Sequence, residues 1–197
     1  MIDIDLLLAW GATFKKVAKG EIVLLEGSAC SFYHQLVSGE IRSVNINDDG
    51  KEFIQAIIEQ GECFGELPLF DDELYTATTV TNIDSVIIRL HKPVFDRMVK
   101  EHPELNKAFN RLLAHNMRFK ILTLKAIASH HPGNRITALL DQLKEEQRNI
   151  CPNCNQLQLT RQQIADMTGL RVETVIRSMR QMHEKGVLII NKGKVYC

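Results

Sequence analysis

The chain has 197 residues, 45% of them apolar and 24% charged, the proportions of a globular protein with room for one or two domains. No apolar run approaches the roughly eighteen residues of a membrane span, MIDIDLLLAW has acids where a secretory leader has bases, and five cysteines in no disulfide-like spacing point to a reducing cytoplasm. The formal net charge is zero, but residues 1–101 hold nine Lys/Arg against seventeen Asp/Glu and residues 102–197 hold fifteen against seven, an acidic body beside a basic part suited to a polyanion.

Glycines at positions 20, 27, 39, 50 and 61 punctuate short β-branched or aromatic runs: EIVLLE, SFYHQLV, IRSVNI and EFIQAIIE, followed by TTVTNI and SVIIRL. Short strands separated by turn residues predict an all-β sandwich or barrel. Asp-Gly within Asn47–Lys51 predicts a hairpin turn. Residues 63–79, CFGELPLFDDELYTATT, begin like a cradle for a phosphate.

The pattern changes at His102-Pro103. From Glu104 to about Ala128 there is no Gly or Pro, and Leu105, Phe109, Leu112, Phe119, Leu122 and Ala126 recur at helical spacing. A helix of about 24 residues is roughly 36 Å long and outreaches a small barrel, so its stripe predicts a dimer seam. Ser129-His130-His131-Pro132-Gly133 then reads as a helix-breaking hinge, with the adjacent histidines as a polar linker pair. A second helix is expected over 135–147, with Ile136, Leu139, Leu140 and Leu143 on one face.

Cys151-Pro-Asn-Cys154 falls in an expected hairpin turn. It is half of a tetrahedral zinc site, a redox dithiol, or a tight turn with two inert cysteines. Cys197 ends the chain at a strand that could bring a third thiolate there.

Residues 159–180 read LTRQQIADMTGLRVETVIRSMR. Thr160 with Gln163 three residues on is a capping box, placing a helix start at Arg161. Ile164, Ala165 and Met167 are its expected buried face. Ala165 allows close approach, Gly169 turns the backbone, and Val175 fills the crossing with a second helix from Val172 to about Lys185. That arrangement is a helix-turn-helix. On the second helix Val175, Met179 and Met182 share one face and Glu173, Ile176, Arg177 and Arg180 another. In a major groove, Arg bonds guanine bidentately and Glu accepts from cytosine. Thr160, Arg161, Arg171, Val172 and Thr174 complete the candidate DNA-binding set. VLIINKGKVYC adds two short strands whose Lys192 and Lys194 would face phosphates.

These segments, in this order, resemble the cyclic AMP receptor protein/FNR (Crp/Fnr) family of bacterial transcription regulators over nearly the whole chain. The resemblance rests on EIVLLEGSACSFYHQLVSGEIR, NDDGKE, GECFGELPLF, the long helix and LTRQQIADMTGLRVETVIRSMR. It implies an α+β chain in three parts: an N-terminal double-stranded β-roll, the jelly roll of cyclic-nucleotide-binding domains, over 1–101; a dimerisation helix and hinge over 102–131; and a C-terminal winged helix-turn-helix over 132–197. It further implies a cytoplasmic, non-enzymatic homodimer that binds a pseudo-palindromic promoter duplex, acts on RNA polymerase and answers a small-molecule effector. Glu173 and Arg177 match the family's readers of a G·C-containing half-site; Ile176 departs from the residues usual there.

The effector pocket implied by the resemblance comprises Phe64, Gly65, Glu66, Leu67, Tyr75, Thr76 and Ala77. Cyclic-nucleotide binders hold ribose and phosphate with Gly-Glu and neutralise the phosphate with the arginine of an Arg-Ser/Thr-Ala triplet. Gly65-Glu66 and Thr76-Ala77 are present, but Tyr75 stands in the arginine's place. A hydrogen bond to a charged group contributes about 1.5–3 kcal/mol, so losing the pair weakens binding by tens- to hundreds-fold, and cyclic AMP is not the expected effector. Lys120 and Ile121 also replace residues that cap the adenine. FNR's N-terminal cluster cysteines are missing; Cys30 and Cys63 read as small buried hydrophobes, and His115 as a polar histidine on the long helix. Two rivals explain less. A cupin-like β-roll enzyme needs an H-x-H that the barrel half, with only His34 and His91, lacks. A cyclic-nucleotide sensor module leaves the helix-turn-helix unexplained.

Overall fold

The structure, a computed structural model, describes residues 2–48, 50–128 and 131–197. Asp49 of the expected turn, and Ser129 and His130 of the expected hinge, lie outside them. The chain divides into two compact units, Met1–Arg111 and Leu112–Cys197, with the division inside one long helix.

The first unit runs α1 (Ile4–Ala9), β1 (Thr13–Val17), β2 (Ile22–Leu24), β3 (Phe32–Ser38), β4 (Ile41–Ile46), β5 (Glu52–Ile58), β6 (Cys63–Phe64), α2 (Pro68–Asp71), β7 (Thr78–Thr81), β8 (Ser85–His91), α3 (Lys92–Glu101) and the start of α4 (Pro103–Ala128). Two antiparallel four-stranded sheets, β1-β8-β3-β6 and β2-β7-β4-β5, form the expected roll. Strand alternation turns Val17, Leu24, Leu36, Ile41, Phe64 and Ile87 into its interior. Tyr33, on the opposite face of β3, stacks on Phe95 of α3 with centroids 5.1 Å apart, and Phe109 of α4 meets Phe95 edge-on at 5.5 Å. The Tyr33 hydroxyl donates to Gln35, whose amide donates to the Ile2 carbonyl at 3.0 Å and so ties the start of the chain to the sheet. The Asn47–Lys51 turn closes through Asn47 N–H to the Lys51 carbonyl (3.1 Å) and Lys51 N–H to Asn47 Oδ1 (2.8 Å).

The second unit holds the rest of α4, then α5 (Pro132–Glu145), α6 (Arg161–Thr168), α7 (Val172–Glu184), β9 (Ile189–Asn191) and β10 (Lys194–Tyr196). Ile136, Leu139, Leu140 and Leu143 of α5 are buried, and both α5 and α6 pack on α7. Two sequence expectations need correction here. Pro132 and Gly133 open α5 instead of preceding it, because a proline in the first turn gives up an N–H that has no helical partner there. Met167 is only half-buried, and Thr168 takes the buried place, its hydroxyl donating to the Ile164 carbonyl at 2.6 Å. On α4, Phe109 lies in the first unit's aromatic cluster, while Phe119, Leu122 and Ala126 line a cleft of about 560 Å³ against α5. Met117, Ile121 and Leu124 are 63%, 57% and 64% exposed, and Leu122 at the edge of the cleft is 51% exposed.

Candidate nucleic-acid interface and effector cradle

The capping box forms as read: Gln163 N–H donates to Thr160 Oγ1 (3.1 Å) and Thr160 N–H to Gln163 Oε1 (2.9 Å). Gly169 ends α6 in the left-handed region at φ 67°, a conformation glycine reaches without a Cβ clash. Its N–H and that of Leu170 both return to the Ala165 carbonyl. Ala165 is buried, so the two helices approach closely, and Val175, Met179 and Met182 anchor α7 on the core beneath. Glu173, Ile176, Arg177 and Arg180 are left on the exposed face, with Arg171 just before the helix and Val172 and Thr174 half-buried in its first turn. Among the described residues no ion pair joins Glu173 to Arg177, so their polar ends are uncommitted.

β9 and β10 form a hairpin over Lys192-Gly193, both at positive φ (46° and 79°), with Asn191 paired to Lys194. Lys192 and Lys194 are exposed. Arg161 is half-buried, and its guanidinium reaches the Gly193 carbonyl at 3.5 Å, tying the start of α6 to the wing turn. The sequence held no local signal for that link, since it joins residues that only the fold brings together.

In the roll, Phe64 is buried and Gly65 turns at φ 64°. The Glu66 carbonyl accepts the Leu69 N–H (3.1 Å) at the start of α2, and Leu67 is exposed. Thr76 is exposed and its carbonyl accepts from Asn45 Nδ2 at 2.7 Å; Ala77 is half-buried. Tyr75 decides the character of this cradle. Only 5% exposed, its ring belongs to the roll interior with Leu24, Leu36, Phe64 and Ile87. A Cβ built on Gly65 would stand 2.4 Å from Leu24 Cδ1 and 2.9 Å from Tyr75 Cε1. Backbone pairs fix the segment around it: Tyr75 N–H to the Ser28 carbonyl (3.0 Å) and Gly27 N–H to the Tyr75 carbonyl (2.9 Å). The phenol hydrogen-bonds Cys30, whose thiol donates to the Phe32 carbonyl at 3.5 Å. Cys30 packs partly buried against the roll core, as expected, and its thiol also carries these two polar contacts. Burial first, then Cys30, pushes the Tyr75 phenol far up and keeps it neutral.

A second opening of the roll, about 320 Å³, is lined by Lys15, Phe32, His34, Tyr75 and Arg89. Sequence reading missed it. Arg89 lies over the Phe32 ring, 4.9 Å from its centroid, and Lys15 pairs with Glu21 at 2.9 Å. His34, with Nδ1 buried and unbonded, is held near pKa 4 by burial and then by the Arg89 and Lys15 charges. His91 pairs across the sheet with Phe32, and no group of three His, Cys, Asp or Glu side chains able to hold a metal exists among the described residues.

Two family models match this chain: the cyclic nucleotide-binding domain over residues 14–102 and the Crp-like helix-turn-helix domain over residues 134–196, together more than half of its length. The chain belongs to the Crp/Fnr family. It is a Crp/Fnr-type transcription regulator with a DNA-binding helix-turn-helix. It is 24% identical over 193 residues to the cyclic AMP receptor protein of Thermus thermophilus, covering 98% of this chain and 87% of that one. It is also 24% identical over 196 residues to the cAMP-activated global regulator Vfr of Pseudomonas aeruginosa, covering 97% and 91%. The fold is shared with the c-di-GMP responsive regulator CLP of Xanthomonas campestris (TM-score 0.77, 19% identity, 98% and 96% covered). FixK2 of Bradyrhizobium japonicum shares it too (TM-score 0.74, 21% identity, 94% and 91% covered). A likeness to the lysophospholipase nte1 of Aspergillus niger, 26% over 133 residues, spans 68% of this chain and 8% of that enzyme. No described helix is long and apolar enough to cross a membrane.

Two further expectations meet this Crp/Fnr fold differently. Cys151 and Cys154 come together, their thiols hydrogen-bonded across the turn. Among the described residues Cys197 forms no three-thiol group with them: its backbone N–H reaches the Asn155 carbonyl at 3.0 Å, and burial pushes its half-buried thiol above the usual thiol pKa. His115 is exposed on α4 and bonded through Nε2 to Glu146 at 2.8 Å.

Proposed function

We propose that this chain is a homodimeric regulator that reads a pseudo-palindromic promoter site through α7 and answers an effector other than a cyclic nucleotide. The observation that carries the DNA reading is the face Glu173-Ile176-Arg177-Arg180, exposed and without an ion pair between Glu173 and Arg177 on a helix whose opposite side is sealed into the core. An exposed arginine pair with one carboxylate at the start of a helix suits the donor and acceptor edges of G·C pairs in a major groove. Lys192 and Lys194 on the wing suit flanking phosphates, which set register without reading sequence.

Dimerisation is supported by the solvent-facing Met117, Ile121 and Leu124 on α4, spaced as one helical stripe. Two copies would place two α7 helices on half-sites about one helical turn apart, with RNA polymerase the partner recruited beside them. The effector part of the reading rests on Tyr75. Where a cyclic nucleotide's phosphate needs a guanidinium, this chain puts a buried neutral phenol. The Lys15/His34/Arg89 opening remains as accessible space in the roll.

Selection of bound duplexes from a random pool by the purified protein tests the proposal. Enrichment of a two-fold-related pair of G·C-containing half-sites, bound by a dimer, is the expected result. An unenriched pool, or enrichment of a single half-site by a monomer, overturns it.

A further inference from the structure

The Crp/Fnr reading leaves Cys151 and Cys154 without a task. They stand on either side of a tight turn closed by Asn155 N–H to the Cys151 carbonyl (2.8 Å) and Cys151 N–H to the Gln156 carbonyl (2.9 Å). Cys154 is exposed, Cys151 partly so, and the two thiols are hydrogen-bonded to each other. The Cys154 thiol, followed by the backbone at Asn153 and Cys154, holds Cys151 below the usual thiol pKa. An accessible sulfur with thiolate character and a second sulfur in contact with it is the arrangement thiol–disulfide exchange requires.

This turn is joined to the DNA-binding machinery. The Asn155 carbonyl accepts the Cys197 N–H (3.0 Å), Gln156 bridges to Tyr196, and Leu157 N–H reaches the Val195 carbonyl (2.9 Å). Residues 155–157 are thus bridged to the end of the chain alongside β10. At the other end of β10, the Gly193 carbonyl receives Arg161 of α6.

We propose that Cys151 and Cys154 form a reversible dithiol–disulfide pair that adjusts DNA affinity through the wing. A small disulfide is the oxidant. The Cys151 thiolate attacks one of its sulfurs, forming a mixed disulfide and expelling one thiolate, which takes up a proton. Cys154, losing its proton, then attacks Cys151 Sγ and expels the second. Two protein thiols are oxidised to one disulfide, and the small disulfide is reduced to two thiols. A sulfur–sulfur bond is about 2.05 Å long, so the two sulfurs must draw in from hydrogen-bonding contact and the turn must tighten. Asn155, at φ 55°, passes that change to Cys197 and along β10 to Lys192 and Lys194. The reduced form keeps the wing where it is described, and the oxidised form binds DNA more weakly. The affinity arm rests on the DNA-binding reading; the thiol arm does not.

The full-length protein, reduced and then treated with oxidised glutathione, is followed by intact mass, peptide mapping and DNA binding. The expected result is loss of two hydrogens, a mapped Cys151–Cys154 bond, DNA affinity lowered several-fold, and recovery with dithiothreitol. Cys154→Ser should trap one glutathione on Cys151 and leave the DNA affinity of the reduced protein unchanged. An unaltered mass, a bond to Cys197, or zinc found on the purified protein overturns the dithiol. A mapped bond with unchanged affinity overturns the switch. Reduced protein that binds no DNA while still forming the bond sinks the proposed function and leaves the dithiol standing. Circular dichroism of Cys154→Ser separates misfolding from lost chemistry, and Cys197→Ser should oxidise as the parent does.

Discussion

Tyr75 Cε1 would lie 2.9 Å from a Cβ on Gly65, so the tyrosine ring occupies the space above the one residue of the cradle that has no side chain. Gly65→Ala meets both this ring and Leu24 Cδ1 at 2.4 Å, in a left-handed backbone at φ 64°. Overpacking and backbone strain together should lower stability by about 2–4 kcal/mol, read as a lower urea midpoint at unchanged slope. A midpoint within error of the parent would show that the ring does not fill that space.

The same packing bears on the ligand. Admitting a cyclic nucleotide phosphate would require expelling a buried phenol from its Cys30 bond and would return no guanidinium. Titration calorimetry with cyclic AMP should give no binding at micromolar protein, and a submicromolar Kd would remove the main argument for a different effector.

Stability should also fall with pH in a defined window. His34 is 7% exposed, and its folded pKa is about 4 against 6.5 for a free imidazole, through burial, Arg89 and Lys15 in that order. Above 6.5 neither state takes the proton. As pH falls from 6.5 towards 4 the unfolded chain is protonated and the folded one is not, so stability drops, by about 3 kcal/mol for this residue alone. Carboxylates held low, such as Glu52 beside Arg42, add a loss of their own that begins only at the acid end of that window, where unfolded carboxylates take up protons. Urea unfolding at pH 7 and 4.5 should show the loss, and His34→Phe, which keeps a ring stacked on Phe64, should remove most of it. Equal losses in both proteins would assign the pH dependence elsewhere.

On α4, Ile121→Asp places a charge in the middle of the solvent-facing stripe. If that stripe is the dimer seam, the variant should sediment as a monomer and bind a two-half-site duplex far more weakly, because a carboxylate buried without a partner costs several kcal/mol. A variant that stays dimeric moves the seam off Met117, Ile121 and Leu124.

The helix-turn-helix could be read directly because each of its devices is local. Thr160 and Gln163 cap within one turn, and Ala165, Gly169 and Val175 act at fixed offsets. The roll was legible as alternating runs between glycines, but β1, with two lysines among five residues, and α3, following β8 without a break, carried no comparable signal. The site was less legible where contacts are distant. Tyr75 announced a lost charge, yet nothing local said that its ring meets Leu24 and Gly65, or that its hydroxyl meets Cys30. On α4 apolar residues occupy two faces, so periodicity alone did not single out Met117, Ile121 and Leu124, which are exposed together with Leu122, from Phe119 and Ala126, which are half-buried beside α5.

Arg177 and Lys192 separate reading from holding. Arg177 is exposed on the outer face of α7, where a guanidinium can bond guanine bidentately; Lys192 sits in the wing turn, where an ammonium meets only phosphate. Arg177→Ala should cost about 1–3 kcal/mol on the preferred duplex and relax the choice at one base pair. Lys192→Ala should weaken all duplexes alike and reduce the dependence of log affinity on log salt by about one unit. Binding curves on the preferred site and on single-substituted sites, at two salt concentrations, distinguish the two. If Arg177→Ala weakens every sequence equally, the guanidinium touches backbone, and base reading passes to Glu173 and Arg180 on the same face.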